Sequence, residues 1–180
     1  MPILGILASS FPAASGAFES IASATGTGSS GTITFSSIAG TYQSLHIRGQ
    51  YRPTTSYHGL YIRINSDTGS NYASHTLNGT GTSAVASGSA SQTYIYTNYE
   101  NATDAYYADL IIDIHDYAST TRNKTVRFFT GVDKNGTGSS ITLGSGLWMS
   151  TSAITSVSLI ADTGSFNTAT TFALYGIKGA

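Results

Sequence analysis

Four aspartates, four histidines and three arginines are the side chains here whose type and spacing could do chemistry. Asp109, Asp113 and Asp116 surround His115. In an extended strand Asp109 and Asp113 share a face about 13 Å apart, at roughly 3.3 Å per residue. A glycosidase carboxylate pair needs roughly 5–10 Å. The group therefore reads as a polar sheet face or a subunit contact. Asp67, in Asn65-Ser66-Asp67-Thr68-Gly69-Ser70-Asn71, has oxygen ligands beside a glycine. A calcium loop asks for several acids at alternating positions and a closing Glu. With one acid, the segment reads as a turn in which Asp67 and Asn65 bond local backbone. His46, His58, His75 and His115 show neither HxH nor HExxH spacing. A zinc site would need distant loops to converge. No nucleophile elbow and no phosphate loop occurs. The expectation is no enzyme, no catalytic residue, no metal and no cofactor.

Arg48, Arg52 and Arg63, with Tyr57, Tyr61 and His58 near them, fall on two neighbouring apolar runs. Planar hydrogen bonding and ring stacking could make such a group a carbohydrate or nucleic-acid face. Arg and Tyr are also common at subunit contacts, which is the reading adopted. Tyr94, Tyr96, Tyr99, Tyr106 and Tyr107 pose the same choice, with glycan binding as the sharper alternative.

The elements that must hold these residues are strands. Apolar residues recur at spacing two in runs of five to ten, separated by Gly, Ser, Asn and Asp clusters. The runs are 17–22; 31–38, with Ile33 and Phe35 inward; and 42–52, with Leu45, Ile47, Gly49 and Tyr51 opposite Ser44, His46, Arg48 and Gln50. Next come 59–65, with Leu60, Ile62 and Ile64 inward, then 92–97, and 107–115, with Leu110, Ile112 and Ile114 on one face. The remainder are 124–133, with Val126, Phe128 and Thr130 on one face; 141–150, with the only tryptophan, Trp148; 154–162; and 170–178. Runs 42–52 and 59–65 flank a six-residue connection and are expected to pair as an antiparallel hairpin. Residues 78–91 read as a flexible rim loop. Asp133–Gly138 carries an Asn-Gly turn signal. No amphipathic helix is evident. The reading is all-β: a jelly-roll-like antiparallel β-sandwich of about eight to ten strands. Residues 1–16 form an apolar arm or edge strand, and 17–180 the sandwich.

The chain has 180 residues, one domain's worth. Only 9 % are charged, with eight basic and nine acidic side chains and a net charge of −1. That gives no electrostatic footprint for nucleic acid or an anionic membrane. There are no cysteines, so disulfides and thiolate sites are excluded. No apolar run reaches the roughly 20 residues of a membrane helix. The first ten residues lack the basic start of a signal peptide. The Asn-x-Thr triplets at Asn78, Asn101, Asn123 and Asn135 read as loop composition.

Four stretches carry a resemblance: MPILGILASS at 1–10, ITFSSIAGTYQSLHIR at 33–48, NSDTGSNY at 65–72 and FALYGIK at 172–178. Together they resemble a group of small virion proteins of tailed bacteriophages and cyanophages, described as minor structural, capsid-decorating or tail-appendage proteins. The similarity spans essentially the whole chain. The resemblance implies a virion component, on the head surface rather than the tail, made in the bacterial host cytoplasm. It implies a capsid decoration or cement protein, a homotrimer contacting the major capsid protein or other virion proteins. The alternative is a tail-fibre or appendage module that binds host surface glycans. The interface candidates are the arm residues Pro2, Ile3, Leu4, Ile6 and Leu7, with Arg48, Arg52, Arg63, Tyr57, Tyr61, Tyr94, Tyr96 and Tyr99.

Overall fold

The computed structural model describes residues 16–55, 58–100, 106–136 and 138–179. The apolar arm, Pro2 to Leu7, and Tyr57 lie outside the described residues. Twelve antiparallel strands form two sheets, and no helix occurs among the described residues. The strands are β1 (Phe18–Thr25), β2 (Thr32–Phe35), β3 (Ser44–Tyr51), β4 (His58–Ile64), β5 (Tyr72–Gly79) and β6 (Ala84–Gln92). They continue with β7 (Ile95–Glu100), β8 (Ala108–His115), β9 (Lys124–Val132), β10 (Ser140–Trp148), β11 (Val157–Ala161) and β12 (Thr171–Ile177).

The larger sheet runs β1-β12-β3-β8-β9-β10-β5-β6 and the smaller β2-β11-β4-β7. The order β1-β12-β3-β8 lies over β2-β11-β4-β7, and the chain changes sheet at every connection except β5–β6, β8–β9 and β9–β10. That double winding is the jelly-roll pattern. Two inserted hairpins, β5–β6 and β9–β10, continue the larger sheet beyond β8. Eight strands thus make the sandwich and four extend one side of it.

The alternation read from sequence places the core. Leu45, Ile47 and Tyr51 of β3, Leu110, Ile112 and Ile114 of β8, Val126 and Phe128 of β9, and Phe172 and Leu174 of β12 are buried. Facing them are Ile33 and Phe35 of β2, Leu60, Ile62 and Ile64 of β4, Ile95 of β7, and Val157 and Leu159 of β11. Several polar groups inside this core are partnered, although the buried Thr130 hydroxyl has no hydrogen-bond partner among the described residues. The Tyr72 hydroxyl donates to the Ile64 carbonyl and accepts from its N–H, each at 3.1 Å, and burial pushes its pKa up to about 12. The Tyr117 hydroxyl donates to the Ala39 carbonyl. Lys124 is fully buried and donates to the Arg122 carbonyl at 2.7 Å, and desolvation holds its pKa below the ordinary lysine value.

Two expectations are corrected. First, β3 and β4 are not a hairpin: β3 pairs with β12 and β8, whereas β4 pairs with β11 and β7. Both strands carry a wholly apolar inward face, and these faces meet across the core. Pro53, which cannot donate to a ladder, sits where the chain leaves the first sheet and bridges Phe166. Second, residues 78–91 are not a rim loop. They hold the end of β5, a tight turn in which Thr80 N–H bonds the Ser83 carbonyl at 3.0 Å, and most of β6. β6 is an edge strand exposed along almost its whole length. With no face to bury, its Ala, Ser and Gly residues have no period-two signal to show.

Candidate functional site

The sheet switch separates the three arginines. Arg48 lies on the outer face of the larger sheet, and Arg63 on the outer face of the smaller one, across the sandwich. Arg52 follows the end of β3, its guanidinium 5.2 Å above the Tyr107 ring. Arg63 donates through Nε to the Thr93 carbonyl at 3.3 Å. The three arginines therefore do not form one cluster. The tyrosine run is brought together only in part. Tyr61 and Tyr94 stack at 3.8 Å with their rings 12° apart, and Tyr96 leans on Tyr61 at 5.7 Å. The facing sides of the Tyr61 and Tyr94 rings are spent on each other, which leaves less stacking surface for a sugar. Tyr99 belongs to β7, and its side chain is outside the description.

The aspartates serve separate partners. Asp116 pairs with Arg122 at 2.7 Å, and Arg127 contacts His115 Nε2 at 2.7 Å. Asp67 holds a turn, as its spacing suggests: it accepts from Gly69 N–H at 2.8 Å and Asn71 Nδ2 at 2.9 Å, and also from Trp148 Nε1, far along the chain, at 2.7 Å. Those donors, the indole first, hold its carboxyl below the usual range. Asn65 reaches beyond its own turn: Thr155 N–H and Ser156 N–H donate to its Oδ1 at 2.8 and 3.0 Å. Among the described residues no three His, Cys, Asp or Glu side chains come together as a metal site.

What the register does assemble is an apolar row on the outer face of the larger sheet. Arg48 pairs with Ile111, Ile111 with Phe129, Phe129 with Leu143, Leu143 with Leu77, and Leu77 with Ala86. Five neighbouring strands, β8, β9, β10, β5 and β6, thus present Ile111, Phe129, Leu143, Leu77 and Ala86 side by side. Leu143 is 58 % exposed, Leu77 53 %, Phe129 43 %, and Ile141, one row along, 51 %. In that next row Asp109, Gly131, Ile141 and Gly79 follow one another. The two glycines leave a floor without side chains, and an open trough of about 650 Å³ runs over them between Phe129, Ile111 and Ile141, with Asp109 and Asp133 beside it.

None of these exposed apolar residues was singled out from sequence. The signal was present but inverted. In Leu143-Gly144-Ser145-Gly146-Leu147 the glycines point inward and the leucines outward, because Phe128 and Ile95 fill the space beneath Gly144 and Gly146. The usual rule assigns the apolar set to the core.

A second polar row crosses the same sheet. Tyr175 pairs with His46, His46 with Asp113, and Asp113 with Arg127. His46 Nδ1 lies 2.5 Å from Asp113 Oδ1, and Arg48 Nε donates to His46 Nε2 at 2.6 Å. An arginine Nε can only donate, so His46 Nε2 must be the acceptor and its proton sits on Nδ1, toward Asp113. The contact with Asp113 is thus a hydrogen bond donated by the Nδ1–H of His46. Phe18 packs edge-on against both His46 and Tyr175, at 5.8 and 6.4 Å.

The chain matches no protein-family model, no curated protein and no solved structure.

Proposed function

We propose that this protein is a structural component of a bacteriophage virion, a decoration or cement protein that acts by adhesion. The observation that carries this reading is the exposed apolar row Ile111, Phe129, Leu143 and Leu77 on the extended side of the larger sheet. A rigid sheet with an apolar centre and a polar rim has the composition of an interface. The stretches that resemble phage virion proteins support that setting, and the 9 % charge content suits dense packing among copies.

Magnitudes say how such a face works. The largest apolar patch on an ordinary monomer is on the order of 400 Å², and that figure sets the scale for this face. At about 25 cal/mol per Å² that is ~10 kcal/mol of gross stabilisation. Association alone costs roughly 4–15 kcal/mol. One contact is therefore marginal, and a tie of several contacts per assembly is not. The assembly proposed is a homotrimer, with the apolar faces directed at the shell and the major capsid protein. The reading includes no catalytic step.

Electron microscopy of the encoding phage's particles, with this protein labelled, tests the placement. Label over the head, at copy numbers on the order of hundreds, is the expected result for a multivalent cement. Label confined to the tail in a few copies overturns head decoration and favours the appendage alternative.

A further inference from the structure

The row beside the apolar strip contains an arrangement that adhesion does not call for. Arg48 is exposed, yet its stem is held by a relay whose histidine is buried and whose aspartate is 35 % exposed. Its Nε is fixed by His46, whose side chain is 7 % exposed, and His46 is fixed by Asp113. Among the described residues Nε is the one donor of Arg48 that is engaged, so the four terminal N–H groups of its fork face outward without partners. The guanidinium borders an open recess of about 340 Å³ whose walls are Phe18, His46 and Tyr175.

We infer that this recess is a binding site for a carboxylated sugar ring, with Arg48 gripping the carboxylate and Phe18 and Tyr175 covering the ring. The inference is independent of the virion reading. Three observations select the ligand. A guanidinium fork matches a carboxylate through two parallel hydrogen bonds, and fixing its stem beforehand removes much of the ordering cost of binding. The register sets an acid, Asp113, beside the site with Arg127 next to it, and an acid so placed disfavours a phosphate dianion more than a monoanion. The backbone N–H groups of β12 and β3 beneath the recess are committed to their ladders, so the backbone nest that captures a peptide C-terminus is lacking there. The volume sits at the low end of ligand sites and fits one ring.

The test is an NMR titration of the 15N-labelled full chain with glucuronate, glucose, inorganic phosphate and a short apolar peptide with a free C-terminus. Glucuronate is expected to shift the Arg48 Nε and His46 signals and to bind about tenfold or more tighter than glucose, because only it offers the fork two acceptors. Arg48→Lys, at an exposed position, is expected to keep the melting temperature and weaken glucuronate about tenfold, since an ammonium cannot reproduce the fork. His46 and Asp113 are positioning residues. Asp113→Ala is expected to weaken glucuronate and to mobilise Arg48 Nε in 15N relaxation, a change that a merely structural role would not produce. Equal binding of glucose and glucuronate overturns the inference. So does tighter binding of phosphate or the peptide, or a glucuronate affinity untouched by Arg48→Lys.

Discussion

Replacing Asp67 with alanine is expected to destabilise the fold by about 3 kcal/mol, the range for losing charge-assisted bonds and leaving a buried donor unpaired. Asp67 receives Trp148 Nε1, Asn71 Nδ2 and Gly69 N–H. It thereby ties the turn after β4 to the end of β10, and Trp148 is only 3 % exposed, so its N–H has no solvent to turn to. The same bonds fix a pH dependence. They lower the folded-state pKa of Asp67 below its unfolded value. Its contribution is therefore complete above the unfolded value, about 3.9, and is lost as pH falls through the depressed folded value. Asp67→Asn keeps the shape and removes the titration. Urea unfolding at neutral pH and along the acid limb is expected to show a smaller loss than for alanine and a shallower decline toward low pH. A loss under about 1 kcal/mol for alanine, or an acid limb unchanged in Asp67→Asn, would contradict this role.

The second large effect concerns the inward glycines of β10. A Cβ added at Gly144 would lie 2.1 Å from the ring of Phe128, and at Gly146 2.4 Å from Ile95. Overpacking of this kind costs typically 1–3 kcal/mol. Gly144→Ala is expected at the upper end, about 3 kcal/mol, because the Phe128 ring sits directly over the site and is held by the core. Phe128→Ala alone is expected to cost roughly 3–5 kcal/mol through the cavity it leaves. The pair is expected to be non-additive. The double variant should be more stable than the sum of the two losses implies by at least about 1 kcal/mol, since each change removes the other's conflict. Strict additivity in a double-mutant cycle would show that β10 does not need glycine there.

Those glycines also explain how far the fold could be read from the chain. Where a strand has one buried face, as in β3, β8, β9 and β12, the alternation of Leu45, Ile47, Leu110, Ile112, Val126, Phe128, Phe172 and Leu174 marks it, and the sandwich follows. Pairing is not written in that pattern: β3 and β4 have the same inward chemistry whether they lie side by side or face to face. Only the route of the chain at Pro53 separates the two. β5 and β6 were hidden because the inner face of β5 is Tyr72, Ser74 and Thr76, and β6 buries almost nothing. The apolar row escaped for a related reason. Phe129 follows buried Phe128, Leu143 precedes Gly144, and a residue's face is fixed by register with its neighbours rather than by its own type. The His46–Asp113–Arg48 relay draws on two strands 67 positions apart at its longest link, so spacing along the chain could not assemble it.

The account rests on the outer face of the extended sheet being the surface that adheres. The most direct measurement compares Leu143→Asp with Thr34→Asp for retention on purified virions of the encoding phage, counted as copies per particle after a salt and dilution wash. Leu143 lies in the centre of the apolar row and Thr34 on the outer face of the opposite sheet, and both are exposed, so both variants are expected to fold. The expected result is loss of most copies for Leu143→Asp and near-normal retention for Thr34→Asp. Normal retention of Leu143→Asp, or loss through Thr34→Asp alone, would show that the protein is held by another surface.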